Sequence, residues 1–130
     1  RLPARATEHS SGFDLHACLG DEVVQVGQLP VTIPTGLAFE IPPGFDAQVR
    51  PRSGLARAGV LGTFGTLDAD YRGELLVTLY TTSPLVQHEV RHGDRVAQLV
   101  ITTLAEVHLE RAGQLSDTGR GPRGHGSTGR

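Results

Sequence analysis

Lysine is absent from this chain of 130 residues, and all twelve basic residues are arginine. Tryptophan and methionine are absent too, and only 5% of residues are aromatic. The net charge is −2 with histidine neutral. That balance leaves no broadly basic face and excludes a nonspecific binder of long nucleic acid. The single cysteine, Cys18, excludes an internal disulfide and fits a reducing compartment. No apolar run approaches membrane-spanning length, and the first residues show no charged, apolar, small-residue leader pattern. Histidine and cysteine nowhere cluster at metal-ligand spacing, which argues against a zinc site. These absences predict a soluble cytoplasmic protein with neither a nucleic-acid nor a membrane partner.

What the chain does have is turn-forming residues, with 17 Gly and 8 Pro. No long helical periodicity appears. Short β-branched or alternating runs are bounded by Gly and Pro, and they predict strands at Glu22–Val26, Gly36–Ile41, Ala47–Pro51, Glu74–Thr82 and Arg95–Glu110, the last split in two. Pro42-Pro43-Gly44 and His92-Gly93-Asp94 read as turns. Ser53–Ala58 reads as one short helix, capped by Ser53 and ended by Gly59. Many short strands at this spacing predict a one-domain, all-β sandwich or barrel. The last eleven residues, Arg120–Arg130, contain four Gly and three Arg and nothing aliphatic. They form either a solvated tail or a segment that orders around an anion, and their composition alone does not decide.

Five stretches carry polar residues that strands and turns do not need. They are Ser10–Ala17, Pro51–Ala56, Gly65–Gly73, Gly93–Val100 and Arg120–Gly129. In Pro51-Arg52-Ser53-Gly54, a strand ending in Arg is followed by Ser at a helix start, which sets free N–H groups beside a hydroxyl and a guanidinium. Taken alone, that pattern favours an ordinary capped helix beside a surface Arg. Asp68 and Asp70 lie two apart on extended chain and point the same way. They suit either an Asp-rich turn or a base for water. Asp14 sits between apolar residues and needs a partner, for which a backbone hydrogen bond suffices. Gln98 interrupts a β-run and suits an exposed strand position. Asp94 and Arg95 read as a turn pair, and His9, His88, His92 and His108 as surface residues.

Together and in this order, the five stretches resemble the signature motifs of the trimeric dUTP pyrophosphatases (dUTPases) from residue 10 to 129. The resemblance implies an all-β, distorted jelly-roll sandwich of the β-clip type, with one short helix and a C-terminal arm, assembled as a homotrimer with shared active sites. It implies a β-domain over 1–116 and an arm over 117–130 that closes a neighbouring subunit's site as a lid. The implied reaction is Mg²⁺-dependent hydrolysis of dUTP to dUMP and pyrophosphate, with Asp68 as the base for water attack on the α-phosphorus. Arg52, Ser53, Gly54 and Gln98 are implied phosphate contacts. A hairpin from Gly65 to Tyr71 would form the uracil and deoxyribose pocket. There Thr66 and Leu67 pair with the uracil edge, Tyr71 excludes a ribose hydroxyl, and Leu76 borders the pocket. Asp14 would meet Mg²⁺ through water. In the arm, Arg120 would bind the γ-phosphate, and Gly126, Ser127 and Thr128 the terminal phosphates. His125 would stack on uracil where the family usually has Phe. Asp70 and Arg72 are implied structural or inter-subunit pairs. Near Gly62 some relatives carry an Asn, so here the backbone must supply that base contact. A dCTP deaminase of the same fold and a non-catalytic trimeric binding module are the alternatives. The Gly73-Glu74-Leu75-Leu76 surroundings do not match the deaminase, and the intact polar set argues against the module.

Overall fold

The computed structural model describes residues 1–124. Its strands are short, as the density of Gly and Pro requires. In chain order they are β1 (Ala4–Arg5), β2 (Phe13–His16), β3 (Val23–Val26), β4 (Val31–Pro34) and β5 (Phe45–Arg50). After the single helix, α1 (Ser53–Arg57), come β6 (Val60–Gly62), β7 (Gly65–Leu67), β8 (Leu76–Thr81), β9 (His88–Arg91) and β10 (Arg95–Thr103).

The strands form three antiparallel sheets: β1-β2-β10-β5-β7, β4-β8-β6 and β3-β9. One apolar core draws on all three, with Leu15, Val49 and Leu99 from the first, Ile33, Val77 and Leu79 from the second, and Val26 and Val90 from the third. The largest fully buried side chains are Leu, Ile and Val, as a chain this poor in aromatics must arrange. This is an all-β jelly-roll sandwich.

Strand alternation gives the five-stranded sheet two chemically different faces. Val49 is opposite both Leu99 and Gly65, and that row faces the core. Arg50 is opposite Gln98, which is opposite Asp14, and that polar row faces outward. A register shift in β10 between Arg95 and Ala97 departs from simple alternation. It buries Val96 and Ala97 consecutively and turns Arg95 onto the outer face beside Asp14. Re-aiming one side chain in this way is a common effect of a β-bulge.

Several elements differ from the sequence expectation. Gly36–Ile41 is not a strand. The strand is Val31–Pro34, and it ends where Gly36 takes a positive φ of 68°. β10 stops at Thr103, and residues 104–124 form no regular element and are exposed throughout. Ser53 is the first helical residue, not the cap. Arg52 is the cap, in extended conformation and without a side-chain capping bond, since a guanidinium has no acceptor to offer the free N–H groups; it pairs with Asp14. Gly59 does follow the helix with φ 79°, as expected. β7 pairs with β5 and β8 with β4 and β6, so the segment from Gly65 to Tyr71 is no closed hairpin. It is a turn at Asp68–Tyr71 that carries the chain from one sheet to another.

His92 proves to be more than a surface residue. Its Nδ1 accepts the backbone N–H groups of Leu19 at 3.2 Å and Gly20 at 3.1 Å, which ties the β9–β10 turn to the loop after β2. His92→Leu removes the acceptor of both N–H groups; water reaches the exposed Gly20 N–H, so the expected cost is about 1 kcal/mol, read as a lower denaturant midpoint. An unchanged midpoint contradicts this role.

Candidate active site

The expected site residues fall into two groups. The first lines a cleft of ≈ 240 Å³ at the β7 edge of the five-stranded sheet. Gly65, Thr66, Leu67, Asp68, Tyr71 and Leu76 all line it, joined by Val49, Glu74 and Leu75, which the sequence reading did not single out. The cleft opens on the core side of the sheet, because Val49, Gly65 and Leu67 belong to that face. Asp68 is exposed, and among the described residues no hydrogen bond or ion pair engages its carboxylate. It is free to accept a proton from water. Tyr71 is half-exposed and donates its hydroxyl to the Glu74 carbonyl at 3.1 Å.

The second group lies on the outer face. Asp14 accepts ion pairs from Arg52 Nε at 3.3 Å and from Arg95 Nη1 at 3.4 Å. Arg52 also donates to the Arg95 carbonyl at 3.2 Å. The partner of Asp14 is therefore a pair of guanidinium groups and not the backbone. Arg95 pairs with Asp14 and not with Asp94, whose carboxylate instead accepts the Arg91 N–H at 2.7 Å. Gln98 donates its amide to the Pro51 carbonyl at 3.0 Å, and its Oε1 lies against Gly12, where a Cβ would overlap it. That close approach explains the Gly in Ser11-Gly12-Phe13. Ser53 and Gly54 are exposed at the start of α1, where the first backbone N–H groups have no helical acceptor. Arg52, Ser53, Gly54, Gln98 and Asp14 thus form one neighbourhood rich in donors.

The two groups do not meet on one chain. They occupy opposite faces of the sheet, and β2 lies three strands away from β7. Strand spacing and rise separate Asp14 from Asp68 by roughly 20 Å. Arg120 joins neither group. Its Nε donates to the Arg123 carbonyl at 2.9 Å, and Arg123 returns the bond to the Arg120 carbonyl. Arg72 makes a long pair with Glu40 at 3.9 Å and donates to the Ala69 carbonyl, while no ion pair engages Asp70 among the described residues. His125, Gly126, Ser127 and Thr128 lie outside the described residues.

Among the described residues, no three His, Cys, Asp or Glu cluster as a metal cage. Each Asp14 oxygen faces one arginine, and the carboxylate keeps further lone pairs for a water. As an oxygen acceptor for metal-bound water it does fit Mg²⁺, which keeps most of its waters. No helix among the described residues is long and apolar enough to cross a membrane.

His16 faces outward beside Asp14, in a cleft shared with Arg1, Arg5 and Arg95. Burial pushes its imidazole below the ordinary value of 6.5, the Arg1 and Arg95 charges add to this, and Asp14 opposes it. Its Nδ1 is buried without a partner among the described residues. Protonation is therefore harder folded than unfolded. The neutral imidazole's contribution to stability is complete above the unfolded value and is lost as pH falls below it. Between about pH 7.5 and about pH 5.5, His16→Gln is expected to lose less stability than the unsubstituted chain in denaturant titrations. Equal or greater loss in the variant contradicts this.

Comparison with known proteins gives one family. The family model for dUTPase matches residues 1–129. Among solved structures, a mutant Staphylococcus bacteriophage 80alpha dUTPase with dUpNHpp superposes with a TM-score of 0.87 at 23% identity, over 100% of this chain and 92% of that one. A mutant dUTPase from phage phi11 of S. aureus, described with a structural Mg(II) ion, gives 0.78 at 21% identity, over 88% and 90%. At this identity the superpositions establish a shared fold, and the family model covers all five motifs. The chain belongs to the dUTPase family.

Proposed function

We propose that this protein is a dUTP diphosphatase that hydrolyses dUTP to dUMP and pyrophosphate at sites shared between chains of a homotrimer. One observation carries the reading: a chain has an uncommitted carboxylate in a nucleoside-sized cleft and a donor-rich anion site, on opposite faces of one sheet. A triphosphate is far shorter than the roughly 20 Å between them. Threefold association unites the cleft of one chain with the donors of the next and gives three equivalent sites.

In this reading uracil enters the cleft and its edge pairs with backbone groups near Thr66 and Leu67. Leu76 borders the base, and Tyr71 fills the space of a ribose 2′-hydroxyl. The neighbouring chain's Arg52, Ser53, Gly54 and Gln98 receive the phosphates, for which the Arg52 fork and the open N–H groups of α1 are suited. Asp68 orients a water and takes its proton as the oxygen attacks the α-phosphorus in line. Pyrophosphate leaves. Bound Mg²⁺ neutralises phosphate charge and makes pyrophosphate a better leaving group. Asp14 contributes by holding Arg52 and accepting from metal-bound water. The 117–130 arm supplies Arg120, Gly126, Ser127 and Thr128 to the terminal phosphates and His125 to the face of uracil. Closing it shuts out bulk solvent and keeps the one water that Asp68 orients. Glu74, the acid nearest to where a deaminase would need one, binds the Gly36 N–H instead.

Pyrophosphate release from dUTP, dTTP, dCTP and UTP tests the reading. Release from dUTP far above the others is the expected result. Asp68→Asn is expected to keep substrate affinity and lose about 10²–10⁴-fold in turnover. Ammonia from dCTP, or a variant with near-normal turnover, contradicts the assignment.

A further inference from the structure

Tyr71 bears the selection of deoxyribose in the proposed reading, yet it sits on an exposed turn. Its own segment closes on itself: the hydroxyl donates to the Glu74 carbonyl, and the ring fills the space that a Cβ on Gly73 would need. That small loop orients the ring only if Glu74 is itself held.

Glu74 is held from outside the cleft. Its Oε1 accepts the Gly36 N–H at 2.7 Å. The next residue, Leu75, donates its N–H to the Leu37 carbonyl at 2.7 Å, and its carbonyl accepts Thr35 Oγ1 at 2.6 Å. Thr35 is 3% exposed and Leu75 6%, so the last bond is shielded from water. Gly36 takes φ 68°, and a Cβ there would lie 2.9 Å from Cys18 Sγ. The turn that aims the Gly36 N–H at Glu74 is thus set by tight packing. Thr35, Gly36 and Leu37 do not line the cleft.

We infer that the Thr35–Leu37 turn and the Glu74 carboxylate form a clamp that positions Tyr71 and sets the discrimination between deoxyribo- and ribonucleoside triphosphates. The inference rests on the proposed dUTP reading. A ring held at two points, by the Gly73 gap and the Glu74 carbonyl, rejects an added hydroxyl sterically. A ring free to swing away admits it. A merely structural clamp would lower turnover of both substrates together. A positioning clamp changes their ratio.

The test compares kcat/KM for dUTP and UTP in the full-length protein. Glu74→Ala and Thr35→Val remove the two side-chain bonds, while Glu74→Gln and Thr35→Ser keep an acceptor and a hydroxyl. Loss of at least about tenfold in the dUTP-to-UTP ratio in the first two, through a lower KM for UTP, is expected, with the ratio recovered in the conservative pair. An unchanged ratio in folded Glu74→Ala overturns the inference, as does an equal fall for both substrates. Glu74 is exposed, so its variant carries the test even if Thr35→Val fails to fold. Absence of dUTP turnover in the unsubstituted protein overturns the functional reading itself and is seen before any variant is compared.

Discussion

Asp14 holds Arg52 from the β5–α1 junction and Arg95 from the β10 bulge, and the donor-rich half of the site is built around that carboxylate. Solvent still reaches these partly buried pairs, so their contribution to stability is small, about 1 kcal/mol. Their effect is geometric. Arg52 also reaches the Arg95 carbonyl, so its guanidinium is fixed at two places before any anion arrives. The bulge is what allows this. Without the extra residue in β10, Arg95 would alternate onto the core face, and Asp14 would lose one of its two cations.

The same alternation separates the two halves of the site. Val49 and Gly65 line the cleft because they belong to the apolar row of the sheet, whereas Arg50, Gln98 and Asp14 form the polar row behind it. A side chain cannot pass through a packed sheet, so chemistry that needs both halves needs a second chain. The exposed apolar residues after β10 point the same way. Leu104, Val107 and Leu109 are 59%, 69% and 89% exposed, on chain that belongs to no strand of its own subunit. In the proposed trimer these are surfaces for a neighbour.

The motifs, the short helix and the turns at Gly44 and Gly93 are legible in the sequence because each depends on a few local residues. Gly65 to Asp68, Tyr71 and Leu76 are reached through the family resemblance, whereas Val49, Glu74 and Leu75 join the cleft only by the way the sheet brings them there. What escapes is set at a distance. Nothing in Gly93–Val100 announces a bulge, so Arg95 looks like the partner of its neighbour Asp94 when it belongs to Asp14, 81 residues away. The strand at Val31–Pro34 is hidden because its terminal Pro reads as a break, while the more apolar Gly36–Ile41 is held irregular by the positive φ at Gly36. His92 reads as idle surface because its partners are backbone N–H groups, which have no signature. The long alternation after Arg95 predicts strand to Glu110, but alternation forms a strand only where another chain segment pairs with it.

The central claim is that one chain's Asp68 works with another chain's Arg52. Asp68→Asn and Arg52→Ala each disable every site of a homotrimer. In mixed trimers refolded from equal amounts of the two inactive variants, a site with intact residues from adjacent chains arises in about a quarter of cases by random assembly under C3 symmetry. Measured pyrophosphate release from dUTP should therefore recover to about a quarter of the unsubstituted rate. A mixture as inactive as its two parents would place both residues in one chain's site and contradict the account.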